Sequence, residues 1–139
     1  MRSEPGGEGW RVAEETRDRT SPILMDDDEA LEKVPADAVL VGADAVMPAG
    51  VVNKVKTVAL AEAARKKSIP RYAVAGETKF IGAELPVGSE FEVAALDLFT
   101  RIATQGALLT PAEAELRAKQ SALGPELRPL LRELSGLDR

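Results

Sequence analysis

The fold is decided by residues 38–42, which read Ala38-Val39-Leu40-Val41-Gly42. Every position in this run is apolar, so neither face of the strand that it predicts is suited to contact with water. A strand buried on both faces is typical of a parallel sheet that helices cover on both sides. A second short apolar run, Tyr72-Ala73-Val74-Ala75, predicts a neighbouring buried strand.

Predicted helices alternate with these strands. Asn53 is a suitable N-cap for a helix from Lys54 to Lys67, which Pro70 ends. The other predicted elements are a helix from Glu8 to about Arg19, a buried strand over Pro22–Met25, a short helix over Glu29–Lys33, a loop over Ala43–Val52 around Pro48 and Gly50, a strand near Phe91–Val93, and a helix from the capping box Thr110-Pro111-Ala112-Glu113 to about Leu123. This order predicts an α/β fold, with a parallel sheet and flanking helices.

The chain has 139 residues, the usual length of one domain. Residues 119–139 are predicted to form a helical tail, with a last short helix over Glu126–Leu134. The leucines of that helix suit packing against the sheet or against a partner chain. The alternation starts without the strand that normally opens a doubly wound unit, so we expect that strand either to be absent or to be supplied from outside these 139 residues.

The composition excludes several classes of function. A net charge of −5 argues against a nucleic-acid partner, which would need a basic face. The sequence has no cysteine and no histidine, so thiolate chemistry is excluded and acid–base chemistry must use Asp, Glu, Lys or Tyr72. Its apolar runs are far shorter than the about 20 residues of a membrane span. We therefore expect a cytoplasmic protein that uses no metal and no cofactor.

Three polar or glycine-rich segments are expected at the carboxyl edge of the sheet, where open α/β folds bind ligands. They are the loop over residues 5–9, the run Asp26–Asp28, and the loop from Asp44 to Asn53. Three adjacent carboxylates cannot all face one ion, so Asp26–Asp28 are better interpreted as a helix cap and solvated charges than as a metal site. The clustering predicts a ligand site at this edge.

The charges next to Asn53 indicate what the ligand carries. Lys54 and Lys56 occupy the first turn of the predicted helix, where the helix dipole disfavours cations. A bound phosphate would reverse that effect, because backbone N–H groups and an ammonium group would converge on one anion. Solvated lysines at a tolerated cost are the open alternative. N-capping alone also explains an asparagine at position 53.

Asp44 lies two residues beyond the predicted strand over residues 38–42. A carboxylate at the end of an apolar strand is expected to be partly desolvated, which raises its pKa towards values useful in acid–base catalysis. The alternative is an aspartate that caps a turn.

Ordered motifs along the chain resemble a known family. They are Val41-Gly42-Ala43-Asp44-Ala45-Val46, Gly50-Val51-Val52-Asn53-Lys54, Thr57, Leu60-Ala61, Ile69-Pro70-x-Tyr72, Ala75-Gly76, Lys79-Phe80, Phe91-Glu92-Val93, Leu96-Asp97-Leu98, Thr104-x-Gly106, Thr110-Pro111 and the loop Pro5-x-x-Glu8-Gly9. The chain resembles the family of translation initiation factor 2B alpha, beta and delta subunits, which also includes ribose-1,5-bisphosphate isomerase and methylthioribose-1-phosphate isomerase.

The resemblance implies that residues 1–118 form the C-terminal half of a Rossmann-like domain, without the family's N-terminal helical domain and first strand. It implies that Asp44 is a proton donor and that Asn53 and Lys54 bind substrate. It also implies that Lys79 contacts the substrate phosphate and that Glu8 lies in a substrate-binding loop.

The chain departs from the family pattern at several points. The family's catalytic cysteine and its Arg-Gly-Ala substrate loop lie upstream of the matched part. The loop that normally reads Glu-Ser/Thr-Arg-Pro is Arg2-Ser3-Glu4-Pro5 here, and the loop from Asp44 to Asn53 is one residue shorter than usual. Lys56 replaces the glycine before Thr57, where it either adds a phosphate contact or blocks the pocket.

Two functions follow as expectations from the resemblance. The first is a protein related to initiation factor 2B that binds a phosphorylated sugar or a nucleotide, is not a complete catalyst by itself, and forms a homo-oligomer or pairs with another subunit. The second is a fragment of an aldose–ketose isomerase that acts on ribose 1,5-bisphosphate or methylthioribose 1-phosphate. The missing cysteine and histidine favour the first, and Asp44, Asn53 and Lys54 favour the second.

Overall fold

The structure is a computed structural model that describes residues 8–23, 25, 29–33 and 35–121. The chain divides into two compact units after Asp37. The first unit contains helices α1 (Glu8–Thr16) and α2 (Ala30–Lys33), which confirms both helices predicted there. The buried strand predicted over Pro22–Met25 is wrong for Pro22, Ile23 and Met25, which have no regular structure, and Ile23 is 66% exposed. Leu24 and Asp26–Asp28 lie outside the described residues.

The described part of the second unit, residues 38–121, contains seven strands and two α-helices. The strands are β1 (Val39–Gly42), β2 (Ala45–Met47), β3 (Gly50–Lys54), β4 (Arg71–Val74), β5 (Phe91–Ala94), β6 (Arg101–Thr104) and β7 (Ala107–Leu109). The helices are α3 (Thr57–Lys66) and α4 (Pro111–Gln120). The predicted strands around residues 38–42, 72–75 and 91–93 are thereby confirmed.

The strands form two sheets. The larger sheet has the order β1-β4-β6-β7, in which β1, β4 and β6 are parallel and β7 returns antiparallel to β6. The smaller sheet is antiparallel, with the order β2-β3-β5. An α/β fold with a parallel-containing sheet and helices is therefore confirmed, as the sequence pattern predicts.

The segment predicted as a loop over Ala43–Val52 is instead a β-hairpin. Strands β2 and β3 pair across a two-residue turn at Pro48 and Ala49, with Met47 opposite Gly50. The loop prediction is wrong because Pro48 and Gly50, which are typical of loops, here form and flank the tight turn of a hairpin.

One apolar cluster joins the larger sheet to both helices of the second unit. Ala61 of α3, Ala114 and Ala118 of α4, and Ile102 of β6 belong to it, and all four side chains are 1% exposed or less. Alanine on the inward side of each helix lets the helix backbone approach the sheet closely.

The opposite face of the larger sheet is not buried in the described part of the chain. Leu40, Val74 and Leu108 point to this side and are 66%, 45% and 63% exposed. The prediction that β1 is buried on both faces is therefore wrong, because α3 and α4 both pack into the cluster on one side of the sheet.

The predicted capping box of α4 is confirmed. The Glu113 N–H donates to Thr110 Oγ1 and the Thr110 N–H donates to Glu113 Oε1, each over 3.2 Å. Hydrogen bonds from the side chain and then the backbone of Thr110 lower the pKa of Glu113 below its ordinary value. The helix ends at Gln120, three residues earlier than predicted, and the predicted helix over Glu126–Leu134 lies outside the described residues.

Candidate functional site

Asp44 lies in the connection of Ala43 and Asp44 that joins β1 of the larger sheet to β2 of the smaller sheet. Its N–H donates to the Val52 carbonyl over 2.8 Å, so the backbone of Asp44 continues the pairing between β2 and β3. The Asp44 residue is exposed, which contradicts the predicted partial desolvation. Asp44 does lie two residues beyond the apolar strand, as predicted, in a bend.

Asn53 and Lys54 do not begin a helix, as was predicted, but end strand β3. They pair with Glu92 and Phe91 of β5, and the Val55 N–H donates to the Glu90 carbonyl over 3.0 Å. This pairing keeps the chain extended as far as Val55, so α3 starts only at Thr57. The predicted placement of Lys54 and Lys56 in the first helical turn is therefore wrong.

A buried threonine connects the end of β3 to the start of α3. Thr57 is 6% exposed, its hydroxyl donates to the Lys54 carbonyl over 2.7 Å, and the same oxygen accepts a bond from Asn53 Nδ2 over 3.0 Å. The side-chain amide of Asn53 is thus held by the helix that follows it and is not its N-cap.

Glu92 was not predicted as a site residue, although its carboxylate holds the start of α3. Its Oε1 accepts the Val58 N–H over 2.7 Å from the neighbouring strand. Val58 is in the first turn of α3, where a negative charge is favoured by the helix dipole. One backbone donor at the observed start of the helix is therefore bound to a carboxylate of the protein itself.

Lys56 is the residue before α3 and has φ 79° and ψ −5°, in the left-handed region. Its side chain makes no capping hydrogen bond to the helix. This conformation accounts for the glycine that the family pattern has at this position, since glycine adopts positive φ without a steric penalty.

We expect Lys56→Gly to raise the free energy of unfolding by about 0.5–1 kcal/mol, because the left-handed conformation costs a residue with a Cβ more than it costs glycine. Urea denaturation followed by circular dichroism measures the change. Glu62→Gly, at an exposed position in the middle of α3, is the control and should lose about 0.5–1 kcal/mol. A loss of stability in both variants would show that Lys56 is not strained.

A cleft of about 290 Å³ opens beside Asp44. Its other lining residues are Ala45, Met47, Val52, Leu85, Pro86, Val87, Gly88 and Phe91, so Asp44 is the charged residue in an otherwise apolar lining. Asn53, Lys54 and Lys79 are not part of this lining. The cleft therefore suits the apolar part of a ligand better than a phosphate.

Lys79 lies on a different segment from Asp44, Asn53 and Lys54. It is an exposed residue in a 3₁₀ turn over Glu77–Lys79, which follows β4. The next residue, Phe80, forms a parallel bridge with Val46 of β2, and the Ile81 N–H donates to the Val46 carbonyl over 2.9 Å. The strand β2 thus lies between the segment that carries Lys79 and the strand that carries Asn53 and Lys54.

Further polar groups lie where β4 and β6 end. Gln105 Oε1 accepts the Glu77 N–H over 2.7 Å, and Arg117 Nη1 of α4 lies 3.4 Å from Glu77 Oε1. The Arg117 guanidinium also stands 5.9 Å from the centre of the Phe80 ring. Sequence spacing did not indicate these contacts, because they join residues 28 to 40 positions apart.

Glu8, the remaining predicted site residue, begins α1 in the first unit, and its binding role stays a prediction. Within residues 8–23, 25, 29–33 and 35–121, no group of three or more His, Cys, Asp or Glu could hold a metal ion. The helices of this described part are also too short or too polar to cross a membrane.

Solved structures of two proteins from Pyrococcus horikoshii OT3 resemble this fold. The translation initiation factor eIF-2B is 26% identical, has a TM-score of 0.65, and is matched over 79% of this chain and 47% of its own. The 5-methylthioribose 1-phosphate isomerase is 25% identical, has a TM-score of 0.63, and is matched over 76% of this chain and 39% of its own.

A third structure, subunit delta of eIF-2B from A. fulgidus, shares the fold at 21% identity with a TM-score of 0.68, over 86% of this chain and 46% of its own. The chain thus spans less than half the length of each of these three proteins. A comparison with curated protein sequences gives no significant match. The model of the Initiation factor 2 subunit family matches residues 2–116, and the chain therefore belongs to that family.

Proposed function

We propose that this chain binds a phosphorylated sugar through Asp44, Asn53, Lys54 and Lys79, and that it is not a complete catalyst by itself. One observation carries the proposal: the β2–β3 hairpin and the bridge between Val46 and Phe80 bring the three backbone segments that hold these residues side by side. These segments are separated in sequence by up to 35 positions, from Asp44 to Lys79.

The residue types suit the ligand. The ammonium groups of Lys54 and Lys79 can pair with phosphate oxygens, and such charge-assisted hydrogen bonds are stronger than neutral ones. Asn53 has an amide oxygen that can accept from a sugar hydroxyl while its Nδ2 is bound to Thr57. The exposed carboxyl of Asp44 lines the cleft, where it can contact a ligand directly.

Two observations support an incomplete catalyst. The sequence contains no cysteine, whereas the family's isomerases use one, and the chain covers 39% of the methylthioribose-phosphate isomerase that it resembles. We propose that the binding unit works within a homo-oligomer or beside another subunit that completes the site.

A second candidate is the corresponding part of an aldose–ketose isomerase acting on a ribose 1-phosphate. The 25% identity to a structure with that activity, and the position of Asp44 beside a cleft, favour it. Asp44 would then donate the proton that opens the sugar ring, which is a general-acid role.

Isothermal titration calorimetry with ribose 1,5-bisphosphate and methylthioribose 1-phosphate tests the proposal. We expect Lys54→Gln to weaken binding at least about tenfold, because a hydrogen bond to a charged group contributes about 1.5–3 kcal/mol. Lys66→Gln, in the last turn of α3, removes the same charge away from the site and should leave the affinity unchanged. Equal effects of the two substitutions would indicate general electrostatic attraction, and an absence of binding by the unsubstituted chain would reject the proposal.

Product formation from the same two substrates separates the two candidates. The binding protein should give no turnover alone, and the isomerase should give turnover that Asp44→Asn abolishes. Turnover that survives in Asp44→Asn would exclude Asp44 as the acid.

A further inference from the structure

The first turn of α3 is bound by a side chain from another strand. Lys56, which precedes the helix, has a left-handed backbone and no capping hydrogen bond from its side chain. The carboxylate that binds the first turn comes from β5 instead, where Glu92 Oε1 accepts the Val58 N–H over 2.7 Å. These two residues are 34 positions apart, so the contact fixes the helix to the smaller sheet.

The same contact lies beside the proposed binding residues. Glu92 is directly opposite Asn53 in the pairing of β3 with β5, and Lys54 is the next residue along β3. Asn53 Nδ2 and the Lys54 carbonyl both bond to the hydroxyl of Thr57, the first residue of α3. The position of the start of α3 therefore determines where the Asn53 amide points and how the chain turns after Lys54.

We propose that Glu92 is a positioning residue for ligand binding: by holding the first turn of α3, it orients Asn53 and the end of β3 that carries Lys54. This inference rests on the proposed function, since it assigns Glu92 a role in the same site. Glu92 acts through the Val58 N–H and Thr57, and it does not contact the ligand.

If Glu92 acted only through its charge, substituting it would have the opposite effect on binding from the loss of a positioning residue. Removing a carboxylate near a phosphate site lowers electrostatic repulsion and should tighten binding. Loss of a positioning group should weaken it. We expect Glu92→Ala to weaken binding of ribose 1,5-bisphosphate about tenfold, and Glu92→Gln, whose amide oxygen can still accept the Val58 N–H, to recover most of the affinity.

Glu90→Ala is the matched control. Glu90 is an exposed carboxylate two residues from Glu92, just before β5, and its backbone carbonyl bond to Val55 survives the substitution. The Glu90→Ala variant should bind ribose 1,5-bisphosphate as tightly as the unsubstituted chain or slightly more tightly. Tighter binding in Glu92→Ala, or equal losses in Glu92→Ala and Glu92→Gln, would overturn the inference.

Nuclear magnetic resonance supplies a readout that needs no ligand. Resonances of the Val58 amide and of the Asn53 side-chain amide should shift in Glu92→Ala, remain close to their original positions in Glu92→Gln, and be unaffected in Glu90→Ala. If neither resonance moves in Glu92→Ala, Glu92 does not position Asn53, whatever the affinities are. If the expected shifts occur but the unsubstituted chain binds neither sugar phosphate, the positioning contact stands and the proposed function fails.

Discussion

Replacing Ile102 with alanine is expected to lower the free energy of unfolding by about 2–5 kcal/mol, because it removes a buried side chain and leaves a cavity. Ile102 is 0% exposed and lies in β6, between the parallel neighbour β4 and the antiparallel neighbour β7. Its side chain belongs to the cluster that contacts both α3 and α4. No single helix can therefore move to fill the space without losing contacts elsewhere.

Urea denaturation, followed by the far-ultraviolet circular dichroism signal, measures this loss. Leu108→Ala is the matched control, since Leu108 lies on the neighbouring strand β7 and is 63% exposed. Its substitution should change the free energy of unfolding by no more than about 0.5 kcal/mol. Similar losses in the two variants would mean that the outer face of the sheet is as well packed as the inner one.

The substitution Gly50→Ala is expected to lower the free energy of unfolding by about 1–3 kcal/mol, because the added methyl group overpacks a dense core. A Cβ at this position would overlap the carbonyl oxygen of Ala94 and lie 2.9 Å from both its carbonyl carbon and Val93 Cγ1. Two of these three atoms are backbone, so relief requires β3 to move away from β5. The glycine of the family motif at this position thus permits close pairing of the two strands.

Gly42→Ala provides the comparison for Gly50→Ala. A Cβ at Gly42 would have nothing within 4 Å, and Gly42 has no positive φ. Alanine there should be neutral or should stabilise the chain by up to about 1 kcal/mol, since it restricts the unfolded chain. Thermal unfolding of the two variants side by side tests the difference, and a loss at Gly42 as large as that at Gly50 would contradict the steric explanation.

The parts of the fold that were predicted correctly have strong local signals. The apolar run of β1 and the capping box of α4 each specify one kind of structure within a few residues. The hairpin of β2 and β3 has no such signal: Ala45, Val46, Met47, Val51 and Val52 are all buried, so the alternation of apolar and polar residues that marks a half-buried strand is missing.

The geometry around the proposed site residues differs from the geometry that the sequence predicts. Asp44, Asn53 and Lys54 were named from the motif, yet Asn53 was assigned to a helix cap because its residue type suits one. Pairing with β5, a tertiary contact, overrides that local preference. Glu92 was recognised only as part of a motif, because its partner Val58 lies 34 positions away in the chain.

The hairpin also explains why the number of residues between Asp44 and Asn53 is a poor guide to how far apart they lie in the fold. Ala45 faces Val52 near the base of the ribbon, and Pro48 and Ala49 form its tip at the far end. Residues gained or lost at an exposed tip alter the turn and leave the base aligned. A homologous protein could therefore differ here by a residue, as the shorter segment of this chain does, and still present the acid and the amide next to each other.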